Sequence, residues 1–259
     1  MLQIFEVEES RSDAAVCIVR CVGGQVRPGD RFEGGALLLD RIQLYGREVP
    51  EFTPPLSARV LLSGTGVRVL RPWIVIVSDG PRRYGYVGPP EIRAAAAGSS
   101  PGRVMRTPED FTAWVAGQGA ADLDEPFTYV VDEGGFLRLA PRRSEHVACA
   151  GRGWVRAAGE MAFVRGPGGW EAVETSNQST GYCPDPDSWP SVAAALDRVG
   201  LTHEGRFIHE VVFRRCPACA ELNVVRDGEY VCALCGNPLP FHWNPAWAAR
   251  PLEPERPAS

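Results

Sequence analysis

The sequence predicts a mainly β protein in three parts: a small N-terminal β-barrel, a central α+β domain and a C-terminal metal-binding module. Residues 1–87 contain closely spaced apolar runs of strand length, punctuated by Gly, Pro and Asp turns, with no helical pattern. Over residues 105–205, hairpin patterns alternate with amphipathic helix patterns. Four of the eight cysteines form two matched pairs near the C-terminal end.

The composition is typical of a globular protein. The 259 residues are 44% hydrophobic and 23% charged. No apolar run approaches the roughly 18 residues of a membrane helix, and the first residues lack the basic and apolar parts of a signal peptide. We therefore expect a protein of the bacterial cytoplasm that makes no contact with a membrane.

The basic residues exclude several classes of chemistry. All 27 are arginine, because the sequence contains no lysine. Schiff-base catalysis, pyridoxal phosphate attachment and the lysine of a phosphate-binding loop are therefore excluded. The net charge of -5 argues against a nucleic-acid partner, since such proteins gain affinity from a basic surplus.

Two cysteine pairs predict a metal site. Two residues separate Cys216 from Cys219 and Cys232 from Cys235, and twelve residues lie between the pairs. Two such loops can place four thiolates in a tetrahedral shell. The pattern resembles a rubredoxin-like zinc ribbon, predicted over residues 206–245. Four thiolates close the shell, so we expect a structural Zn²⁺, with iron as the main alternative.

The residues around these pairs fit the same prediction. Asp227 and Gly228 predict a tight turn between two short strands. Gly236 follows the second pair, where a ligand-binding loop commonly needs a positive φ. The other cysteines are scattered, and we expect them to pack as small apolar groups; they are Cys17, Cys21, Cys149 and Cys183. A nucleophile set of Cys183, His146 and Asp185 is the weaker alternative.

The N-terminal region contains a turn, GGQVRPGDRF (23–32), followed later by ARVLLSGTGVRVLRPWIVI (58–76). The two segments resemble a turn, and then a strand, loop and closing strand, in the second domain of translation GTPases. The resemblance covers about the first 80 residues and implies a β-barrel that serves as a binding module. No phosphate-binding motif occurs, so no GTPase domain is expected.

The rest of the chain is divided by composition and capping signals. Residues 88–104 are rich in Pro, Gly, Ala and Ser, which predicts a linker. Thr107 predicts the cap of a first helix, and Asp187 or Ser188 the cap of a second. Hairpin turns are predicted at 133–135 and 166–169. The Pro-rich end, residues 246–259, is predicted to be disordered.

The central domain carries a second resemblance. The segments RRSEHVACAGRGWVRAAGEMAF (142–163) and STGYCPDPDSWPSVAAAL (179–196) are similar to the C-terminal region of plant IQ-motif-containing calmodulin-binding proteins and bacterial relatives. Gly181 and Cys183 stand where that family has histidine and arginine. The leading histidine of that pattern is also out of register, since Ser144 and Glu145 precede His146. Because of these departures the family's activity is not carried over, and the calmodulin-binding motif itself is absent.

Two polar clusters in this domain are candidates for ligand binding. The candidate residues are Arg142, Arg143, His146, Asn177, Ser179 and Tyr182. Paired guanidinium groups suit a carboxylate or phosphate, and a polar loop between a strand and a helix can hold a sugar or nucleotide. The alternative interpretation is that these residues form turns on solvated loops.

The favoured function is that of a zinc-binding, non-enzymatic binding or adaptor protein whose partner is a protein or a small molecule. One alternative is an enzyme or sensor that recognises a nucleotide-like or phosphorylated small molecule through the central domain. A second is an RNA- or ribosome-associated factor. That factor would need an arginine face, which Arg214 and Arg215 could begin.

Overall fold

The structure, a computed structural model, describes residues 1–241 and 243–245. It contains a seven-stranded sheet, a six-stranded sheet and a two-stranded ribbon. Across the described residues, no helix has both the length and the apolar character needed to cross a lipid bilayer. The predicted disordered tail, residues 246–259, lies outside the described residues.

The first sheet curls into a nearly closed barrel. Its strands are β1 (Leu2–Ser10), β2 (Ala14–Cys21), β3 (Arg31–Phe32), β4 (Leu37–Leu44), β5 (Arg47–Glu48), β6 (Ser57–Ser63) and β7 (Val75–Ile76). They run in the order β3-β4-β6-β2-β1-β7, with β5 paired to β4. Phe32 forms a bridge with Ser78, just beyond β7, so the two ends of the sheet meet. The prediction of a barrel-like N-terminal sheet is confirmed.

Alternation along β2 builds the core of this barrel. Every second residue, including Cys17 and Cys21, points inward and is at most 2% exposed, as the two-residue period of a strand requires. Cys149 and Cys183 are buried as well. The prediction that the four scattered cysteines pack as small apolar groups is confirmed.

The second sheet is a mixed α+β unit. Its strands are β8 (Arg103–Met105), β9 (Phe127–Asp132), β10 (Leu137–Ala140), β11 (Val155–Gly166), β12 (Gly169–Val173) and β13 (Thr202–His203). They run in the order β13-β12-β11-β9-β10-β8, and only β13 pairs in parallel. Both predicted hairpins are present, as β9-β10 and β11-β12.

The helices are short. They are α1 (Pro90–Ala95), α2 (Pro108–Val115), α3 (Ala120–Leu123), α4 (His146–Cys149) and α5 (Trp189–Arg198), with 3₁₀ turns at Thr65–Val69, Ala96–Gly98 and Pro186–Ser188. Thr107 caps α2 as predicted, in a reciprocal pair with Asp110. Ser188 precedes α5 but its side chain makes no capping bond. Ser188 is therefore the N-cap residue of α5, as predicted, but without a side-chain bond. Asp185 caps the preceding 3₁₀ turn, since its side chain accepts from the backbone N–H of Asp187.

Residues 88–104, predicted as a linker, are folded into the second unit. They contain α1 and most of β8, which pairs with β10. Just before them, Tyr84 exchanges both backbone hydrogen bonds with Val155 of β11, at 2.7 and 3.1 Å. Composition misled the prediction because it does not report pairing with a distant strand. Backbone pairing with the second sheet therefore starts at residue 84.

A close backbone approach joins β11 to the loop after β12. A Cβ atom at Gly159 would lie 2.0 Å from the carbonyl oxygen of Ser176. That carbonyl also accepts a hydrogen bond from the Tyr129 hydroxyl at 2.9 Å. The carbonyl of Gly159 accepts one from His146 Nε2, also at 2.9 Å. Only glycine allows this contact without displacing the backbone of the loop.

We expect Gly159→Ala to lower the free energy of unfolding by about 2–3 kcal/mol, because the added methyl overpacks a rigid backbone contact. Urea denaturation followed by circular dichroism measures the change. Gly168→Ala in the β11-β12 turn is the control, since no atom lies within 4 Å of its new Cβ. Equal losses in the two variants would contradict the role of the close approach.

Candidate metal centre and the predicted ligand loops

The C-terminal ribbon is built on two short antiparallel strands, β14 (Val212–Arg215) and β15 (Leu222–Val225). After β15 the chain reverses at Asp227 and Gly228, which have φ values of 54° and 73°. Glu229 N–H donates to the carbonyl of Arg226 at 2.9 Å. Two successive positive φ values define a hairpin turn of the primed type, so the predicted turn is confirmed.

The four paired cysteines meet at one point. Their Sγ atoms all lie within 4.8 Å of one another. The Cys216–Cys235 and Cys219–Cys232 sulfur pairs are each 3.6 Å apart. Four sulfurs bonded at about 2.3 Å to a tetrahedral ion would be separated by about 3.8 Å. The cluster is therefore of the right size and chemistry to hold one thiolate-preferring metal ion.

The two cysteine loops have the same backbone hydrogen bonds. Cys216 N–H donates to Glu221 O and Cys232 N–H to Asn237 O, both at 2.8 Å. In each loop the fourth residue after the first cysteine donates back to that cysteine's carbonyl at 2.9 Å. Those two residues, Ala220 and Gly236, have φ values of 63° and 72°. The positive φ predicted for Gly236 is confirmed, and Ala220 adopts the same conformation without glycine's freedom.

Two asparagines, which the sequence reading did not single out, support the sulfurs. The Asn237 side-chain amide donates to Cys235 Sγ at 3.3 Å. That bond is the main reason the pKa of Cys235 is lowered to about 6. Asn223 donates to Cys232 Sγ at 3.5 Å, and its carbonyl oxygen accepts from the N–H of Ala233. Bonds of this kind favour thiolates and hold metal ligands in place. In the sequence, the position of Asn237 two residues beyond the last cysteine indicated that it could support a cysteine sulfur.

Arg214 and Arg215 do not form an exposed basic face. Arg214 is 5% exposed, and its guanidinium donates to the backbone carbonyls of Phe213, Pro240 and Phe241. Arg215 donates to two further backbone carbonyls. Both side chains hold the ribbon together, so the arginine face needed for an RNA-associated factor does not begin here.

One carboxylate links the ribbon to the rest of the molecule. Asp185 is 7% exposed, and its Oδ2 lies 3.5 Å from Nη1 of Arg82 and 3.5 Å from Nη1 of Arg214. Arg82 belongs to the segment that leaves the barrel, and Arg214 belongs to β14. Barrel, second sheet and ribbon therefore converge on a single negative charge.

Two residues of the first ligand cluster make contacts within the protein. Arg142 forms an ion pair with Glu125, and Arg143 is exposed with a φ of 63°. His146 Nε2 donates to the Gly159 carbonyl. Burial holds the pKa of His146 below its ordinary value, so the ring is neutral near pH 7. These contacts favour the interpretation of a turn and a packing histidine.

Two of the three residues in the second cluster, Asn177 and Tyr182, make internal hydrogen bonds. Asn177 is fully buried and donates to the carbonyls of Pro184 and Val211, while it accepts from the N–H of Val211 at 2.7 Å. The Tyr182 hydroxyl donates to Gly153 O at 2.8 Å. Ser179 is 1% exposed, and its hydroxyl has no partner among the described residues. None of the three offers an exposed polar group to a ligand.

The alternative nucleophile set is also not assembled. Burial raises the pKa of Cys183 to about 12, so its thiol stays protonated at neutral pH. The thiol donates to the Thr180 carbonyl at 3.2 Å. His146 and Asp185 are engaged as described above, His146 with Gly159 and Asp185 with two arginines. Cys183 is therefore a packed apolar residue.

Comparisons with protein-family models, with curated proteins and with solved structures found no match to this chain. The function must therefore be inferred from the geometry of the molecule itself.

We expect the chain to bind one metal ion and Cys235→Ser to weaken that binding by more than about tenfold, since loss of even an outer-shell partner costs that much. Metal content after dialysis, measured by plasma mass spectrometry, and competition with a chelator provide the readout. Cys17→Ala, which removes a buried thiol from the barrel, should keep the ion. Equal metal content in Cys235→Ser and the unaltered chain would exclude this cluster as the site.

We expect Asp185→Asn to lower the free energy of unfolding by about 3 kcal/mol, because two largely buried guanidiniums lose their shared counter-charge. Denaturant unfolding measures the change. Asp197→Asn is the matched control. Its carboxylate is 70% exposed and, among the described residues, pairs only with His203, so its loss should cost less than about 1 kcal/mol. Similar losses in both variants would contradict a central role for Asp185.

Proposed function

We propose that this protein is a zinc-binding, non-enzymatic adaptor of the bacterial cytoplasm and that its ribbon docks a partner protein. The observation that carries the proposal is the cluster of four cysteine sulfurs within 4.8 Å. Four thiolates complete a tetrahedral shell and leave no position for water or substrate. A metal held this way stabilises a fold. Zn²⁺ is the ion most often used for that purpose, and iron is the alternative in the same shell.

The surface of the ribbon supports a docking role. Val224, Val231 and Leu234 are 47%, 54% and 69% exposed. Together with Ala233 they line an open groove of about 820 Å³, which we call the ribbon groove. Large apolar side chains gathered on one small module mark interaction sites in soluble proteins. Glu221, Arg226 and Glu229 flank them, giving the apolar centre and polar rim typical of protein interfaces.

The sequence resemblances fit the same proposal. A barrel similar to the second domain of translation GTPases, without a nucleotide-hydrolysing domain, would serve as a second binding module. A rubredoxin-like zinc ribbon would present the ribbon groove on a rigid support. In this proposal the central unit joins the two modules and catalyses no reaction.

We expect a photo-reactive phenylalanine analogue at position 234 to give a discrete cross-linked protein adduct in cells that normally produce this chain. Leu234 is the most exposed apolar side chain of the groove, so it should touch the partner directly. Gel shift and mass spectrometry identify the adduct. The same analogue at Tyr45, 97% exposed on the barrel, is the control and should not give that adduct.

Adding Cys235→Ser to the position-234 variant should abolish the adduct, because the groove depends on the metal-bound ribbon. The same adduct from positions 45 and 234, or none from position 234, would contradict docking at the ribbon groove. Iron in place of zinc, seen as visible thiolate-to-iron absorbance, would contradict the zinc assignment and leave the docking result unaffected.

A further inference from the structure

A cleft lies where the barrel meets the second sheet. It is a cavity of about 490 Å³, bounded on one side by Gly24 and Gln25 of the barrel and on the other by Arg156 of β11 and Ser191 of α5. Its volume falls within the range of small-molecule sites in proteins, about 300–1,000 Å³. The six candidate ligand-binding residues of the sequence analysis do not line it.

The wall of this cavity is rich in guanidinium groups. Arg82, Arg83 and Arg156 all line it. Arg82 shares Asp185 with Arg214, and Arg83 pairs with Asp30 at 3.0 Å. Arg156 has no ion-pair partner among the described residues, and its Nε atom is buried without a hydrogen bond. Arg156 is therefore a partly buried cation without a counter-charge of its own.

The nearby carboxylates are already engaged or lie at the edge. Asp132 and Glu133 act electrostatically on Arg156, but Asp132 pairs with Arg138 and Glu133 with Arg27. Asp79, which lines the cavity, accepts hydrogen bonds from two backbone N–H groups. Asp187 is exposed at the edge of the cavity. An anionic ligand would supply the charge that Arg156 lacks.

A buried amide adds an independent observation. Gln25 is 6% exposed, and neither its side-chain nitrogen nor its oxygen has a hydrogen-bond partner among the described residues. Buried polar groups are nearly always satisfied, so an unpaired amide in the wall of a cavity points to a missing partner. Polar groups on a bound molecule could provide it.

A smaller cavity of about 200 Å³ adjoins the first, because Gly24 and Arg83 line both. Its walls include the half-buried rings of Tyr86 and Trp154. Arg93 and Arg152 lie at its exposed edge, and no carboxylate is among its described lining residues. Aromatic and guanidinium planes together are the groups on which a nucleobase stacks.

We propose that the two adjoining cavities form one binding site for a mononucleotide, with its phosphate against Arg156 and Arg83 and its base against Trp154. This site would let the adaptor respond to a small molecule, a property that the docking proposal does not require. The net charge of -5 and the limited size of the cavities favour a mononucleotide over a nucleic acid.

Isothermal titration of the zinc-loaded full chain with AMP, GMP, CMP and UMP tests the site. We expect saturable binding of at least one of them and binding weakened about tenfold or more in Arg156→Gln, which loses charge-assisted hydrogen bonds. Trp154→Leu should weaken mononucleotide binding. It should leave the affinity for inorganic phosphate, measured by competition, unchanged. Arg142→Gln, an exposed arginine outside the site, should bind as the unaltered chain does.

Circular dichroism checks that each variant folds. Arg156→Gln removes no ion pair among the described residues, so it tests nucleotide binding even if Trp154→Leu does not fold. Three results with the small ligands would overturn the proposal. They are the absence of saturable binding by all four mononucleotides, equal binding by Arg156→Gln, and inorganic phosphate binding as tightly as any mononucleotide. Tighter binding of a single-stranded oligonucleotide would also overturn it, in favour of a nucleic-acid site.

Discussion

The shared carboxylate of Asp185 is the interaction on which the arrangement of the three parts depends. It faces Arg82, from the segment that leaves the barrel, and Arg214, from the ribbon, and it also orders the turn before α5. Two guanidiniums largely removed from water need a counter-charge, because an unpaired buried cation is strongly unfavourable. Asn177 reinforces the joint by pairing with the backbone of Val211, just before β14. The polar loop between β12 and α5 is therefore the structural junction of the molecule.

The polar residues of this loop take part in the junction. A loop rich in Ser, Thr and Asn resembles a binding loop in sequence, but here its side chains satisfy backbone groups that the junction buries. The polar groups of Asn177 and Tyr182 donate to backbone carbonyls in this way. Two further unsatisfied groups, on Gln25 and Arg156, are 131 residues apart in the sequence. They are brought to one cavity only by the packing of the barrel against the second sheet.

The ribbon illustrates how a small module can expose apolar surface and still fold. Its own buried apolar cluster consists of Cys216, Cys232 and Leu239, with Val225 and Tyr230 packed against it. Because so few groups are buried, a metal ion held by the cysteine cluster would supply much of the stability of this small module. With the two cysteine loops fixed by a metal, residues such as Leu234 would not be needed in a buried core; Leu234 is 69% exposed and lines the ribbon groove.

The sequence by itself determined the features that depend on neighbouring residues. Strand periodicity predicted the barrel strands and both central hairpins, Thr107 predicted a helix start, and the cysteine spacing predicted the sulfur cluster and the positive φ of Gly236. Each of these depends on residues close together in the chain, where turn and capping chemistry acts. Only the tertiary structure decided that residues 88–104 fold against the second sheet, and that Asp185 holds two arginines. Both depend on contacts between distant segments, and no local pattern encodes such contacts.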